Sequence, residues 1–251
     1  MNVNKMFDMK GKVAVVTGGA GHLGAAMSKA LAEAGADVYI ASLNGEKRNR
    51  LIEEFYHDSG LKMNGIFLDF RNPEKVYECF QTITEKTGKI DVLINNAADS
   101  AGGKVDEITE ENWQIGIEGT IHNVYRCTKA VVPIMKKKKY GVIVNIASMY
   151  GMVSPDPSIY GDTGYDNPPN YGAGKAAVIQ YTKYCACHLA SWNIRMNSIS
   201  PGPFPNPQIQ KNSFFMEQLK NKNPLHRVGH PDELKGAVLY LASEASSYVT
   251  G

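Results

Sequence analysis

The chain lacks the features that would tie it to a membrane, a nucleic acid or a metal. No apolar run approaches the roughly 20 residues needed to span a bilayer, and the N-terminus has no apolar signal core, so a cytoplasmic location is expected. Net charge is only +2 over 251 residues, which leaves no basic face for nucleic acid. The one dense cationic run, Lys136-Lys137-Lys138-Lys139, reads as a solvated helix end, where cations suit the dipole. Cysteine is scarce: Cys79, Cys127, Cys185 and Cys187 show no metal-ligand spacing and are expected to be reduced. The six histidines are scattered, none beside a cysteine or carboxylate as a metal site would have it, so no metal is expected. What the chain does have is 43% hydrophobic content in a length that suits one core.

Short apolar runs alternate with helical patterns along nearly all of it. Lys12–Thr17, Asp37–Ser42, Gly65–Asp69, Ile90–Asn95, Gly141–Ala147 and Ile194–Ile199 read as strands. Helices are expected from the glycine-rich turn to about Ala34, over Glu46–His57, from about Pro73 to Thr87, from about Thr109 to Lys137, and from Tyr171 to about Ala190. Such alternation predicts a single-domain α/β Rossmann fold, with a doubly wound parallel sheet and helices on both faces. Ligands then bind beyond the carboxyl ends of the strands, where Gly18–Gly24, Asn95–Ala98, Ser148 and Pro201–Phe204 all fall.

Two motifs carry chemistry. Gly19-x-Gly21-x-x-Gly24 follows a strand and opens a helix, the setting in which glycines let backbone N–H groups approach a pyrophosphate. Tyr171-Gly172-Ala173-Gly174-Lys175 places a phenol and an ammonium one helical turn apart. A free tyrosine titrates near pH 10, roughly, and a neighbouring cation is expected to draw Tyr171 toward the working range. Tyr125-x-x-x-Lys129 has the same spacing, but only Tyr171 follows a strand that delivers a reactive group, Ser148, at its end.

These residues together resemble the short-chain dehydrogenase/reductase family over essentially the whole chain. The likeness rests on Thr17-Gly18-Gly19-Ala20-Gly21-His22-Leu23-Gly24, Asp69, Asn95-Asn96-Ala97-Ala98, Ser148, Tyr171-x-x-x-Lys175, Pro201-Gly202-Pro203 and Asn223–Glu233. It implies an NAD(P)-dependent oxidoreductase acting on a secondary alcohol or ketone. By the resemblance, Tyr171 is the acid/base, Lys175 tunes it and holds the nicotinamide ribose, and Ser148 hydrogen-bonds the reacting oxygen. Gly18, Gly19, Gly21, His22, Leu23, Gly24, Ser42, Asn44, Phe70, Ala97 and Phe204 are implied around the cofactor. Asp69 would receive the adenine amino group, Asn95 would brace its strand, and Pro201-Gly202 would flank the carboxamide. A homotetramer or homodimer is implied as well, with the Trp113 and Tyr171 helices packed across a two-fold axis.

The chain departs from the family pattern in four places. His22 stands where the short-chain fingerprint has its second glycine, a spacing otherwise seen in extended relatives that act on nucleotide sugars. A sugar-nucleotide epimerase or dehydratase is therefore an alternative, as is a dinucleotide-binding sensor without turnover. Thr120 falls where an asparagine usually supports a proton relay. About ten extra residues separate Ser148 from Tyr171, and the insertion at about 153–169, rich in Pro, Gly, Asp and Tyr, is either surface decoration or a substrate wall. Its polar groups suit a sugar or sugar acid. Last, the family pattern continues beyond Tyr248–Gly251 into a further strand. For the cofactor, the end of the second strand carries Ser42-Leu43-Asn44 instead of an acid, with Lys47, Arg48 and Arg50 following, which favours NADP over NAD.

Overall fold

The computed structural model describes residues 2–251. Six strands, β1 (Val13–Thr17), β2 (Asp37–Ser42), β3 (Asn64–Phe67), β4 (Val92–Asn95), β5 (Gly141–Ile146) and β6 (Ile194–Ile199), form one parallel sheet in the order β3-β2-β1-β4-β5-β6. The order reverses between β1 and β4, so a crevice opens there beyond the strand ends. The main helices are α1 (Val3–Met6), α2 (His22–Glu33), α3 (Gly45–Ser59), α4 (Pro73–Thr87), α5 (Glu110–Ile117), α6 (Asn123–Lys138), α7 (Pro169–Leu189), α8 (Ser213–Asn221) and α9 (Lys235–Ala242). None is long and apolar enough to cross a membrane.

Burial on both faces explains the unbroken apolar strands. Val13, Val15 and Leu93 pack with Phe80, Val131, Met135 and Leu189 of α4, α6 and α7. Their alternates Ala14, Val16 and Ile94 pack with Met27, Leu31 and Val238 of α2 and α9. Strand and helix boundaries agree with the sequence reading to within a few residues, with one exception of kind. The long helix expected from Thr109 to Lys137 is interrupted at Glu118–His122 by a π-helical turn between α5 and α6. One contact there comes from outside the helix and two are local. The Gly119 carbonyl is taken by the Asp99 N–H (3.1 Å) and by the Asn123 side-chain amide (2.8 Å), and the Thr120 hydroxyl donates back to Gly116 O (2.6 Å). At the far edge, β6 is bonded by the last residues of the chain, with Gly251 N–H donating to Met196 O at 2.9 Å.

Candidate active site

The glycine turn is built by backbone contacts that side chains would forbid. Gly18 has φ +63°, and a Cβ on it would stand 2.9 Å from the Cα of Ala97. Gly24 faces the Gly18 carbonyl, which a Cβ would approach to 2.2 Å. Thr17 and Asn96 hold the turn from the β4 side: the Thr17 hydroxyl receives the N–H groups of Asn96 (3.0 Å) and Ala97 (3.1 Å), and the Asn96 amide donates to the Thr17 and Gly18 carbonyls. Gly21 caps α2 without a side chain to occupy its first amides. Those amides and the positive end of the helix therefore meet a cleft of about 390 Å³, a cradle that fits the bridging phosphates of a dinucleotide.

Gly18, Gly21, His22, Leu23, Ser42, Asn44, Phe70 and Ala97 line that cleft. Gly19 and Gly24 do not; they serve close packing beneath it, Gly19 against Ser28 and Gly24 against Gly18. Asp69 caps its own turn, accepting the Arg71 N–H at 3.0 Å, between Leu68 and Phe70, which do reach the cleft. Asn95 is buried beneath, donating to Asn145 Oδ1 at 2.8 Å, and Asn145 in turn donates to Thr182 of α7 at 2.8 Å. The three bases after β2 separate in space. Lys47 lines the cleft, whereas Arg48 donates to the Ser42 and Ile66 carbonyls and Arg50 pairs with Glu54.

The catalytic candidates come from the ends of β5 and α7. Ser148 ends the β5 segment and its Oγ accepts the Tyr150 N–H (3.1 Å), while Met149 N–H bonds Pro201 O (3.0 Å) and ties this turn to the β6 loop. The turn lies directly on α7, because Gly151 lets backbones meet: a Cβ there would be 2.8 Å from the Lys175 carbonyl carbon. Ser148 thereby comes within hydrogen-bonding reach of the Tyr171 phenol. Ser148 and Tyr171 share a cavity of about 690 Å³ with Gly202 and Phe204, which places Phe204 on this side rather than in the nucleotide cleft. From the insertion, Tyr160, Tyr165, Asp166 and Asn167 line the same cavity, and so does Tyr150, a residue the sequence reading passed over although it lies two positions from Ser148.

The electrostatics differ from the sequence expectation. Burial raises the Tyr171 phenol above its ordinary value, the Ser148 hydroxyl opposing it, so Tyr171 is protonated at neutral pH. Lys175 is 3% exposed, donates from Nζ to Ile146 O at 2.6 Å, and stands 5.6 Å from the Tyr171 ring centre. Burial draws its own pKa down to about 8. Thr120 does not reach the ammonium: its hydroxyl is spent on Gly116, and it packs against Gly174, whose Cβ would sit 1.9 Å from Thr120 Oγ1. Tyr125, the competing copy of the motif, is 43% exposed and stacks edge-on against Tyr181, away from Ser148.

Residues 18–251 match the family model described as enoyl-(acyl carrier protein) reductase. The chain is 35% identical over 244 residues to a 3-oxoacyl-(acyl-carrier-protein) reductase of Thermotoga maritima, covering 97% of this chain and 95% of that one. It is 34% identical over 259 residues to a sorbose reductase of Candida albicans, covering 100% and 87%. Among solved structures, a gluconate 5-dehydrogenase from Burkholderia cenocepacia, in complex with NADP and tartrate, superposes with a TM-score of 0.89 at 27% identity, over 99% of this chain and 94% of that one. With a parallel sheet switching order at a glycine-lined cleft, and a serine, tyrosine and lysine gathered beside it, the chain belongs to the short-chain dehydrogenase/reductase family and is an oxidoreductase.

Proposed function

We propose that this protein is an NADP-preferring reductase of a ketone in a polyhydroxylated small molecule, a sugar or sugar acid, with Ser148, Tyr171 and Lys175 as its catalytic residues. The observation that carries the reading is the cavity wall: Tyr150, Tyr165, Asp166 and Asn167 line the same space as Ser148 and Tyr171. Hydroxyl-rich ligands reward such a wall, whereas an alkyl chain would leave its polar groups unpaired. The likeness to a sorbose reductase and to a gluconate 5-dehydrogenase agrees with it.

A bound nicotinamide dinucleotide supplies the hydride. The chain's own residues do the rest. The α2 amides and the glycine turn hold phosphate, and Asn44 and Lys47 meet the adenosine end. Tyr171, protonated at neutral pH, gives its proton to the ketone oxygen, and Ser148 donates to the same oxygen as charge develops. The Lys175 ammonium, buried without a carboxylate partner, stabilises negative charge on the phenol that has just lost its proton. A homotetramer or homodimer is part of the proposal; α6 and α7 carry the exposed Tyr125 and Tyr184, with the half-buried Tyr181 edge-on to Tyr125, an aromatic surface that a second copy would cover.

Initial rates with NADPH test the substrate class. The expected outcome is a kcat/KM for L-sorbose or a keto-gluconate at least about tenfold above that for a 3-oxoacyl thioester; the reverse order would reject the sugar reading. For the cofactor, Asn44→Asp keeps a good helix cap, since Asn44 Oδ1 caps α3 by accepting the Lys47 N–H at 2.9 Å. It sets a carboxylate at the cleft, so NADP affinity is expected to fall roughly tenfold or more, about 1.4 kcal/mol, with NAD affinity held or improved. Fluorescence titration of both nucleotides reads this directly.

A further inference from the structure

His22 is the first residue of α2 and lines the nucleotide cleft together with Gly18, Gly21, Leu23 and Asn96. Its Nε2 is buried with no hydrogen-bond partner among the described residues. The ring lies beside the Pro205 carbonyl, in the loop after β6 that also lines the substrate cavity. No carboxylate faces it: the charged and titratable groups that act on it are Lys47 from α3 and His230 from the turn preceding α9, both of which disfavour its protonation. A buried ring nitrogen without a partner, at the positive end of a helix and beside a nucleotide cleft, is a group whose partner would come with a ligand.

We propose that His22 binds the pyrophosphate of the dinucleotide as an imidazolium, taking up a proton as the cofactor seats. The inference rests on the reading of this cleft as the cofactor site. Burial lowers the pKa of His22 in the free protein, the Pro205 carbonyl opposing it and His230 and Lys47 adding to it, which favours the neutral ring before binding. An anion against Nε2 favours the charged form and raises it. The sign follows. At pH below both values the ring is charged in both states, and above both it is neutral in both. Between them binding takes up a proton, and affinity is lost as pH rises through the bound-state value.

The test is calorimetric titration of the full chain with NAD from about pH 5 to about 8. NAD is the probe because the 2′-phosphate of NADP itself titrates near pH 6, roughly. Runs in two buffers of different ionisation enthalpy count protons directly. Wild-type protein is expected to lose roughly tenfold in NAD affinity across the window, one unit of pKa, with net proton uptake. His22→Gln and His22→Gly are expected to show a flat profile and no uptake, the two together guarding against a change in fold at α2. His230→Gln runs alongside, because His230 is the other histidine acting on the His22 ring and stands 3.8 Å from the Asp232 carboxylate. A wild-type profile as flat as that of His22→Gln, or one flattened by His230→Gln instead, overturns the proposal. NAD that binds without proton uptake overturns the histidine's role alone; a chain that binds neither nucleotide overturns the cofactor site as well.

Discussion

Replacing Tyr171 with phenylalanine is expected to lower kcat roughly a hundred- to ten-thousand-fold, the range over which a positioned acid contributes. The effect is large because no other group can take over. Ser148 is the hydroxyl that acts on the phenol, and a serine hydroxyl is too weak an acid to replace it. Burial, with Tyr150 beside it, pushes Tyr160 well above the ordinary phenol range. Stability should stay within about 1 kcal/mol, since the change removes a single hydroxyl with one partner. Nucleotide titration should still saturate, because the phosphate cradle lies in the Gly18–Leu23 cleft and not in the cavity that holds Tyr171. Tyr125→Phe is the matched control: the same spacing to a lysine, on an exposed face, with no serine beside it, and an expected rate equal to wild type.

Gly24→Ala is the second large effect. The added methyl would lie 2.2 Å from Gly18 O, 2.8 Å from Asn96 Nδ2 and 2.9 Å from Gly19 Cα. Two of the three obstacles are backbone, and the third is the side chain that clamps the turn through Thr17 O and Gly18 O. The glycine turn must therefore move. Overpacking of this kind costs about 1–3 kcal/mol, and a displaced turn no longer matches the phosphates. Loss of thermal stability is expected together with at least about a tenfold weaker nucleotide affinity, about 1.4 kcal/mol. Gly236→Ala, on the exposed side of α9 with open space around its Cβ, calibrates the change; helix propensity alone should stabilise it by about 0.5–1 kcal/mol. Thermal melts and fluorescence titration of both variants decide the matter.

The central strands β1, β4 and β5 were legible because burial on both faces fills them mostly with Val, Ile, Leu and Ala, and the helix after β1 because its glycine turn is local. The π turn was not, since the Gly119 carbonyl is engaged by Asp99, a residue outside the helix that the helical period does not register. Spacing also failed to separate Lys47 from Arg48 and Arg50. That separation is set by how α3 rotates to lay Leu51, Ile52 and Phe55 on the core, which turns Arg48 onto backbone carbonyls. The Tyr171–Lys175 pair was legible as a motif, but not in its charge. Spacing puts the two on one face, yet only the fold reveals that burial outweighs the Ser148 hydrogen bond at Tyr171, and that the lysine is held by Ile146 O. The insertion's role emerged from packing too. Tyr160 stacks on Phe215 of α8 at 5.5 Å, Tyr165 meets the same ring edge-on at 5.3 Å, and Asp156 pairs with Lys222 at 2.7 Å, which fixes the wall over the cavity.

The most direct measurement follows the hydride itself. NADPH carrying deuterium at the transferable position of the nicotinamide is mixed with protein and a ketose, and the product is read by mass spectrometry. One deuterium is expected on the new carbinol carbon per cofactor oxidised, with Tyr171→Phe forming product far more slowly. Product without the label, or cofactor bound tightly with no net oxidation while the sugar is converted, would contradict it.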